Sequence, residues 1–223
     1  GTMPFISSTF INLSNTQTLI EVVATIAFAL SGLLTAAQKK LDAVGVCVVA
    51  GITAFGGGTL RDLLLDRRPF FWIEHATWLW LLLALCISAM LFLRQSHFSS
   101  TEKAILWPDA LGLGLFSASG TQIALDMGNG YMVSVLMGMI TAVFGGVIRD
   151  IVCNDIPKAF QDHRPYAVCG FCGGWVLILC QNWQLSQEWC LFLAAFSASF
   201  LRLLAVYFNY RLPVWQLDDN KNS

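Results

Sequence analysis

Phe55-Gly56-Gly57-Gly58-Thr59-Leu60-Arg61-Asp62 closes one long apolar run, and Phe144-Gly145-Gly146-Val147-Ile148-Arg149-Asp150 closes another. Gly57, Gly58, Arg61 and Asp62 each lie 88 residues ahead of Gly145, Gly146, Arg149 and Asp150. The same offset, without a gap, carries Phe28, Ser31, Gly32 and Ala36 onto Phe116, Ser119, Gly120 and Ala124. It also carries Ile52-Thr53-Ala54 onto Ile140-Thr141-Ala142, Pro69 onto Pro157, His75 onto His163 and Glu21 onto Asp109. Apolar runs align by composition alone; glycine pairs followed at fixed spacing by Arg-Asp and Pro do not. The chain is therefore built from two copies of one unit, residues 18–94 and 105–182.

Each unit is long enough for three membrane spans. With 56% hydrophobic and 12% charged residues and a mean hydropathy of +0.63, the chain has about half the charge of a soluble domain. It cannot clothe a water-facing surface, so lipid must cover much of it. A helix crosses the hydrocarbon in about 20 apolar residues, which places spans near 18–37, 43–66, 73–94, 105–126, 130–154, 165–182 and 188–209. Residues 95–104 read as a cytoplasmic loop, 183–210 as an accessory seventh span and 211–223 as a cytoplasmic tail. Gly1 and Thr2 ahead of Met3 look like an expression scar, with the rest of 1–17 an extracellular segment. The fold class is all-α integral membrane.

Three spans per unit is an odd number, so the second copy must enter from the opposite side. In such inverted repeats the pathway lies between the halves. Lysine and arginine set the direction. Lys39, Lys40, Arg94, Lys103, Lys158, Arg164, Arg211 and Lys221 fall on one side, and only Arg67 and Arg68 on the other. That places the C-terminus in the cytoplasm and the N-terminus outside.

Three adjacent glycines in a helix cost about 1 kcal/mol each relative to alanine, so Gly56, Gly57 and Gly58, with Gly145 and Gly146, are expected to break or kink their spans. Carbonyls freed by a break would need water or protein partners and could face a cation. The alternative is close helix packing, which small residues permit. At 1.5 Å per residue, Arg61 lies roughly 27 Å from the start of its span. Inversion puts Arg149 equally far in the other direction. The pairs Arg61-Asp62 and Arg149-Asp150 should then guard separate mouths. Both arginines could instead snorkel to headgroups. Ser31, Ser119, Thr53 and Thr141 add symmetric hydroxyls that can bond back to their own helix or, as a set, coordinate an ion.

The net charge of −1 leaves no basic footprint for nucleic acid. Cys169-Gly-Phe-Cys172 lacks a second pair or histidines for zinc, so no tightly bound metal is expected. No nucleophile–base pair is evident, and neither enzyme activity nor a cofactor is expected.

Phe28-Ala-Leu-Ser-Gly32, Thr53-Ala-Phe-Gly-Gly-Gly-Thr-Leu-Arg-Asp62, Pro69-Phe-Phe-Trp72 and Phe144-Gly-Gly-Val-Ile-Arg-Asp150 resemble the prokaryotic trimeric intracellular cation (TRIC) channels. That group overlaps bacterial proteins with a glycine-transporter domain. The resemblance covers roughly residues 18–209. It implies a homotrimer in a prokaryotic inner membrane, each protomer holding a pore for K⁺ and also Na⁺, lined in part by kinked spans 2 and 5. Animal members use a basic residue in the fourth span for voltage response and bind a phosphoinositide, and residues 105–126 contain no lysine or arginine. A secondary transporter of a small solute such as glycine is the alternative, since inverted repeats serve both classes.

Overall fold

Side-chain caps set where the first two helices start. Asn15 accepts a hydrogen bond from Gln17 N at 3.0 Å, and Asp42 from Gly45 N at 2.8 Å. Each thus satisfies a free amide at a helix N-terminus. The computed structural model describes residues 15–93, 101–161 and 163–215. Along them run α1 (Thr16–Gln38), α2 (Ala43–Leu64), α3 (Phe71–Glu74), α4 (Thr77–Phe92) and α5 (Thr101–Asp126). These are followed by α6 (Tyr131–Val152), α7 (Lys158–Gln161), α8 (Ala167–Asn182) and α9 (Gln187–Tyr207). No strand occurs among the described residues.

Three expectations need correction. Both α2 and α6 run unbroken through their glycines. In a membrane a break would leave backbone groups unsatisfied, and here Gly57, Gly58 and Gly145 make room for close neighbours. The proposed loop 95–104 is shorter, because α5 already begins at Thr101; residues 94–100 lie outside the described set. The span drawn over 73–94 is two elements, with the one-turn α3 separated from α4 by His75 and Ala76. The N-terminal segment before Asn15 and the tail after Trp215 are likewise outside the described residues.

Helices α1, α2, α6 and α9 are long and apolar enough to cross a membrane, and α4 and α8 are apolar helices of 16 residues each. The 26-residue α5 carries Glu102, Lys103, Asp109, Gln122 and Asp126 and lies at the centre, against α1, α6, α8 and α9. Asp109 and Gln122 are buried against those helices, whereas Glu102, Lys103 and Asp126 are exposed at its two ends. Phe28 and Phe116 meet there with ring centroids 5.3 Å apart. Outward faces carry exposed aromatics such as Trp80, Phe92 and Trp183, as expected of a surface solvated by hydrocarbon.

Helices end alike at positions 88 residues apart. Lys40 and Gly128 close α1 and α5 with φ of 58° and 85°, and Asp66 and Asn154 follow α2 and α6 with φ of 53° and 60°. These are left-handed caps, which spare the last carbonyls from lacking a partner.

Candidate functional site

The glycine–threonine crossing sits between two arginine clusters. A Cβ on Gly57 would collide with the carbonyl oxygen of Thr141, and one on Gly145 with that of Thr53. Only glycine lets α2 and α6 come this close. Thr53 and Thr141 spend their own hydroxyls on Val49 O (2.7 Å) and Met137 O (2.6 Å) within their helices. Gly56 faces the tip of Ile148, Gly58 the ring of Phe71, and Gly146 the Tyr166 hydroxyl and the Arg149 guanidinium.

One turn beyond Gly57, Arg61 is 1% exposed. Its Nε donates to Asp62 Oδ1 at 3.0 Å and its Nη1 to Glu21 Oε1 at 3.1 Å. Asp62 Oδ1 also accepts from Arg67 Nη1 at 2.9 Å, and Asp62 Oδ2 from Phe71 N at 3.1 Å. The guanidinium lies 5.6 Å from the Phe71 ring centroid. Two cations and two anions thus balance, Arg61 and Asp62 buried and Arg67 and Glu21 partly exposed.

One turn beyond Gly145, Arg149 is equally buried. Its Nε donates to Asp150 Oδ1 at 2.9 Å, and its Nη1 to Asp109 Oδ1 at 2.8 Å and Ser31 Oγ at 2.9 Å. Asp150 Oδ2 accepts from Lys158 N at 2.9 Å. Glu21 and Asp109, which hold the two arginines, are themselves 88 residues apart. Neither arginine reaches out to headgroups; carboxylates of its own half fix each inside the helix bundle. No Arg61–Asp150 bridge forms among the described residues, in keeping with the depth arithmetic.

A cavity of about 310 Å³ runs to Glu21 beside Asn15, Arg67 and Asp126. Another of about 610 Å³ runs to Asp109 beside Lys103, Lys158, Arg164 and Arg202. Glu21 lies near the start of α1 and Lys39, paired with Asp155 at 2.7 Å, at its end. The two cavities therefore enter from opposite ends. Between their floors lie the glycine–threonine crossing and the Phe28–Phe116 contact. Arg202 of α9 is buried at a contact, donating to Pro165 O at 3.1 Å with its guanidinium 4.9 Å from the Tyr166 ring centroid. Among the described residues no group of three or more His, Cys, Asp or Glu could hold a metal ion.

Ser31, Thr53, Thr141, Arg61, Asp62, Arg149 and Asp150 fall in or beside these clusters. Ser119 is buried with its hydroxyl unpartnered. Glu21, Asp109, Arg67 and Tyr166 belong to the clusters but were not among the expected site residues. The Glu21–Asp109 match at the common offset was the available signal for two of them.

Two cavities open at opposite ends thus stop at arginine-bound carboxylates within a bundle of apolar helices. The chain belongs to the glycine transporter family, whose model matches residues 18–95 and again 106–182. A UPF0126 membrane protein of Vibrio cholerae is 34% identical over 204 residues, covering 89% of this chain and 82% of the relative. The UPF0126 inner membrane protein YadS of Escherichia coli is 32% identical, covering 90% of this chain and 97% of its own length. Among solved structures, the TRIC trimeric intracellular cation channel orthologue from Rhodobacter sphaeroides superposes with a TM-score of 0.81 at 29% identity, covering 86% of this chain and 98% of that one. A second TRIC cation channel structure gives 0.79 at 30% identity, covering 90% and 97%.

Proposed function

We propose that the chain is a channel for monovalent cations, K⁺ and also Na⁺, with a pore inside each protomer of a homotrimer. The observation that carries this reading is the pair of cavities that approach each other from opposite ends and stop at Glu21 and Asp109. The Asp109 cavity also carries Lys103, Lys158, Arg164 and Arg202, so its charge does not select a cation; the choice of cation is supported by the likeness to the TRIC cation channel structures. Residues 18–94 and 105–182 act as inverted three-helix repeats and α9 as the accessory seventh span. Continuous α2 and α6 flank the path, with Gly56, Gly57, Gly58, Gly145 and Gly146 setting how closely they approach. Arg61, Asp62, Arg149 and Asp150 gate the two ends, while Ser31, Ser119, Thr53 and Thr141 supply polar groups along it. The absence of a dense ring of carbonyls or acids in the sequence fits weak discrimination between K⁺ and Na⁺. The protein lies in a prokaryotic plasma membrane with its N-terminus outside and its C-terminus in the cytoplasm; no cofactor is needed for conduction.

The reading is tested by ion flux in proteoliposomes. Potassium-loaded vesicles containing the protein should depolarise or release K⁺ far faster than empty vesicles, with Na⁺ also permeant. Saturable glycine uptake without K⁺ flux would replace the channel by a transporter.

A further inference from the structure

The two cavities carry opposite charge, and the repeat does not account for it. At the Asp109 end the lining includes Lys103, Lys158, Arg164 and Arg202 against Glu102 and Asp109, and Asp109 is already bound to Arg149 at 2.8 Å. At the Glu21 end the lining holds Glu21 and Asp126 beside Arg67. Asn15, Phe70 and Ala76 stand 88 residues ahead of Lys103, Lys158 and Arg164, and Arg202 belongs to α9, which lies outside both repeats. The positive charge is therefore an addition to one end. Like charges gathered around a concave site repel one another and focus a field that draws an anion.

The chain brings such an anion to this place. Asn209, with φ of 49°, turns the backbone out of α9, and Leu212 N then donates to the carbonyl oxygen of His163 at 2.5 Å. His163 lines the basic cavity, so the start of the tail is pinned at its rim. Asp218 stands six residues past the pin with Asp219 beside it, and Lys221 follows only after them. An extended chain covers about 3.3–3.6 Å per residue, so this stretch reaches roughly 20 Å. Two adjacent carboxylates are thus held within range of Lys103 and Lys158, both of which are exposed. The short tether keeps their effective concentration high, which lets individually weak surface pairs act together.

We propose that residues 216–223 dock on the basic cavity, with Asp218 and Asp219 paired to Lys103 and Lys158, so that the chain's own tail covers the Asp109 end. The contact is reversible, because exposed ion pairs are weak and salt screens them over about 8–10 Å. Covering this end lowers conduction, an effect that rests on the proposed path between the two cavities. Docking itself does not rest on that path, and the test reads the two separately.

The full chain in phosphatidylcholine liposomes is treated at low salt with a carbodiimide, which joins a carboxylate to a lysine amine as an amide and takes up the water lost as a urea. Peptide mapping by mass spectrometry should find Asp218 or Asp219 coupled to Lys103 or Lys158, several-fold less at high salt. A second arm needs no crosslink: acetylation of Lys103 and Lys158 by an amine reagent should be several-fold faster in D218N/D219N, which leaves the helix bundle untouched. Absence of those couplings, or acetylation unchanged by the substitution, would overturn docking. So would lysines protected equally in both proteins only when phosphatidylglycerol is added, which would give the cavity to a lipid headgroup. Currents recorded in parallel should rise several-fold in D218N/D219N; equal currents despite docking would overturn the covering of this end. Docking without current in either protein would keep the tail contact and remove the channel, whereas currents without docking would do the reverse.

Discussion

Replacing Gly57 by alanine separates two physical roles for the glycines, because they predict opposite signs. Were these residues weak points in α2, a methyl group would stabilise the helix by about 1 kcal/mol. Here the new Cβ lands on the carbonyl oxygen of Thr141, a backbone atom of α6 that cannot swing away. Relief requires the two helices to separate, and overpacking of this kind costs about 1–3 kcal/mol. Since the clash is with backbone, the upper part of that range applies. Set against the propensity gain, the net loss is about 2 kcal/mol. Gly56 is the internal control: its Cβ would meet the flexible end of Ile148 at 3.2 Å and the Gly145 Cα at an ordinary contact distance of 3.6 Å, so G56A should be neutral or slightly stabilising. For a chain of this size, about 2 kcal/mol corresponds to an apparent melting midpoint lower by roughly 4–8 °C. The assay is a thermal ramp on detergent-solubilised protein, read as the monodisperse fraction on size exclusion. G145A, whose Cβ would strike the Thr53 carbonyl, should behave like G57A. A G57A protein as stable as the parent would refute the packing argument.

Other outcomes follow from the same contacts. Asp109→Ala leaves Arg149 with one carboxylate in a buried site, a loss of about 3–5 kcal/mol, and should sharply lower the yield of monodisperse protein. Glu21→Ala should cost less, because the Glu21 side chain is 17% exposed against 6% for Asp109, and water can reach the orphaned Arg61. Lys40→Gly should raise the melting midpoint, since a non-glycine residue in the left-handed region costs about 1 kcal/mol and Gly128 already occupies the equivalent cap. Amine crosslinking of the protein in native membranes should stop at a trimer; a series ending at dimer would count against the proposed assembly.

The 88-residue offset pointed to the matched helix caps and the two arginine clusters, because glycines, prolines and Arg-Asp pairs hold their meaning wherever they stand in a helix. Composition located the apolar helices to within a few residues for the same reason. What escaped was information about rotation. Whether Gly57 faces a gap or a neighbouring carbonyl depends on how α2 turns against α6, and periodicity in an almost wholly apolar run does not fix that. Arg61 and Arg149 showed the same difficulty: their depth could be calculated, but an arginine near a helix end can reach lipid headgroups or turn inward. Glu21 and Asp109 decide the matter, and they stood at matching positions all along. The Arg149–Ser31 bond joins residues 118 apart, and no spacing rule within one repeat could have supplied it. Residues 101–104 read as loop on their polar composition, yet they form the first turn of α5, with Glu102 and Lys103 exposed.

The central claim, that ions pass between the Glu21 and Asp109 ends of each protomer, is tested most directly by recording purified protein in planar bilayers under a KCl gradient. Discrete unitary currents reversing close to the K⁺ equilibrium potential are the expected result, with Na⁺ substituting at reduced amplitude. Silent bilayers at verified protein incorporation, or currents reversing at the Cl⁻ potential, would contradict it.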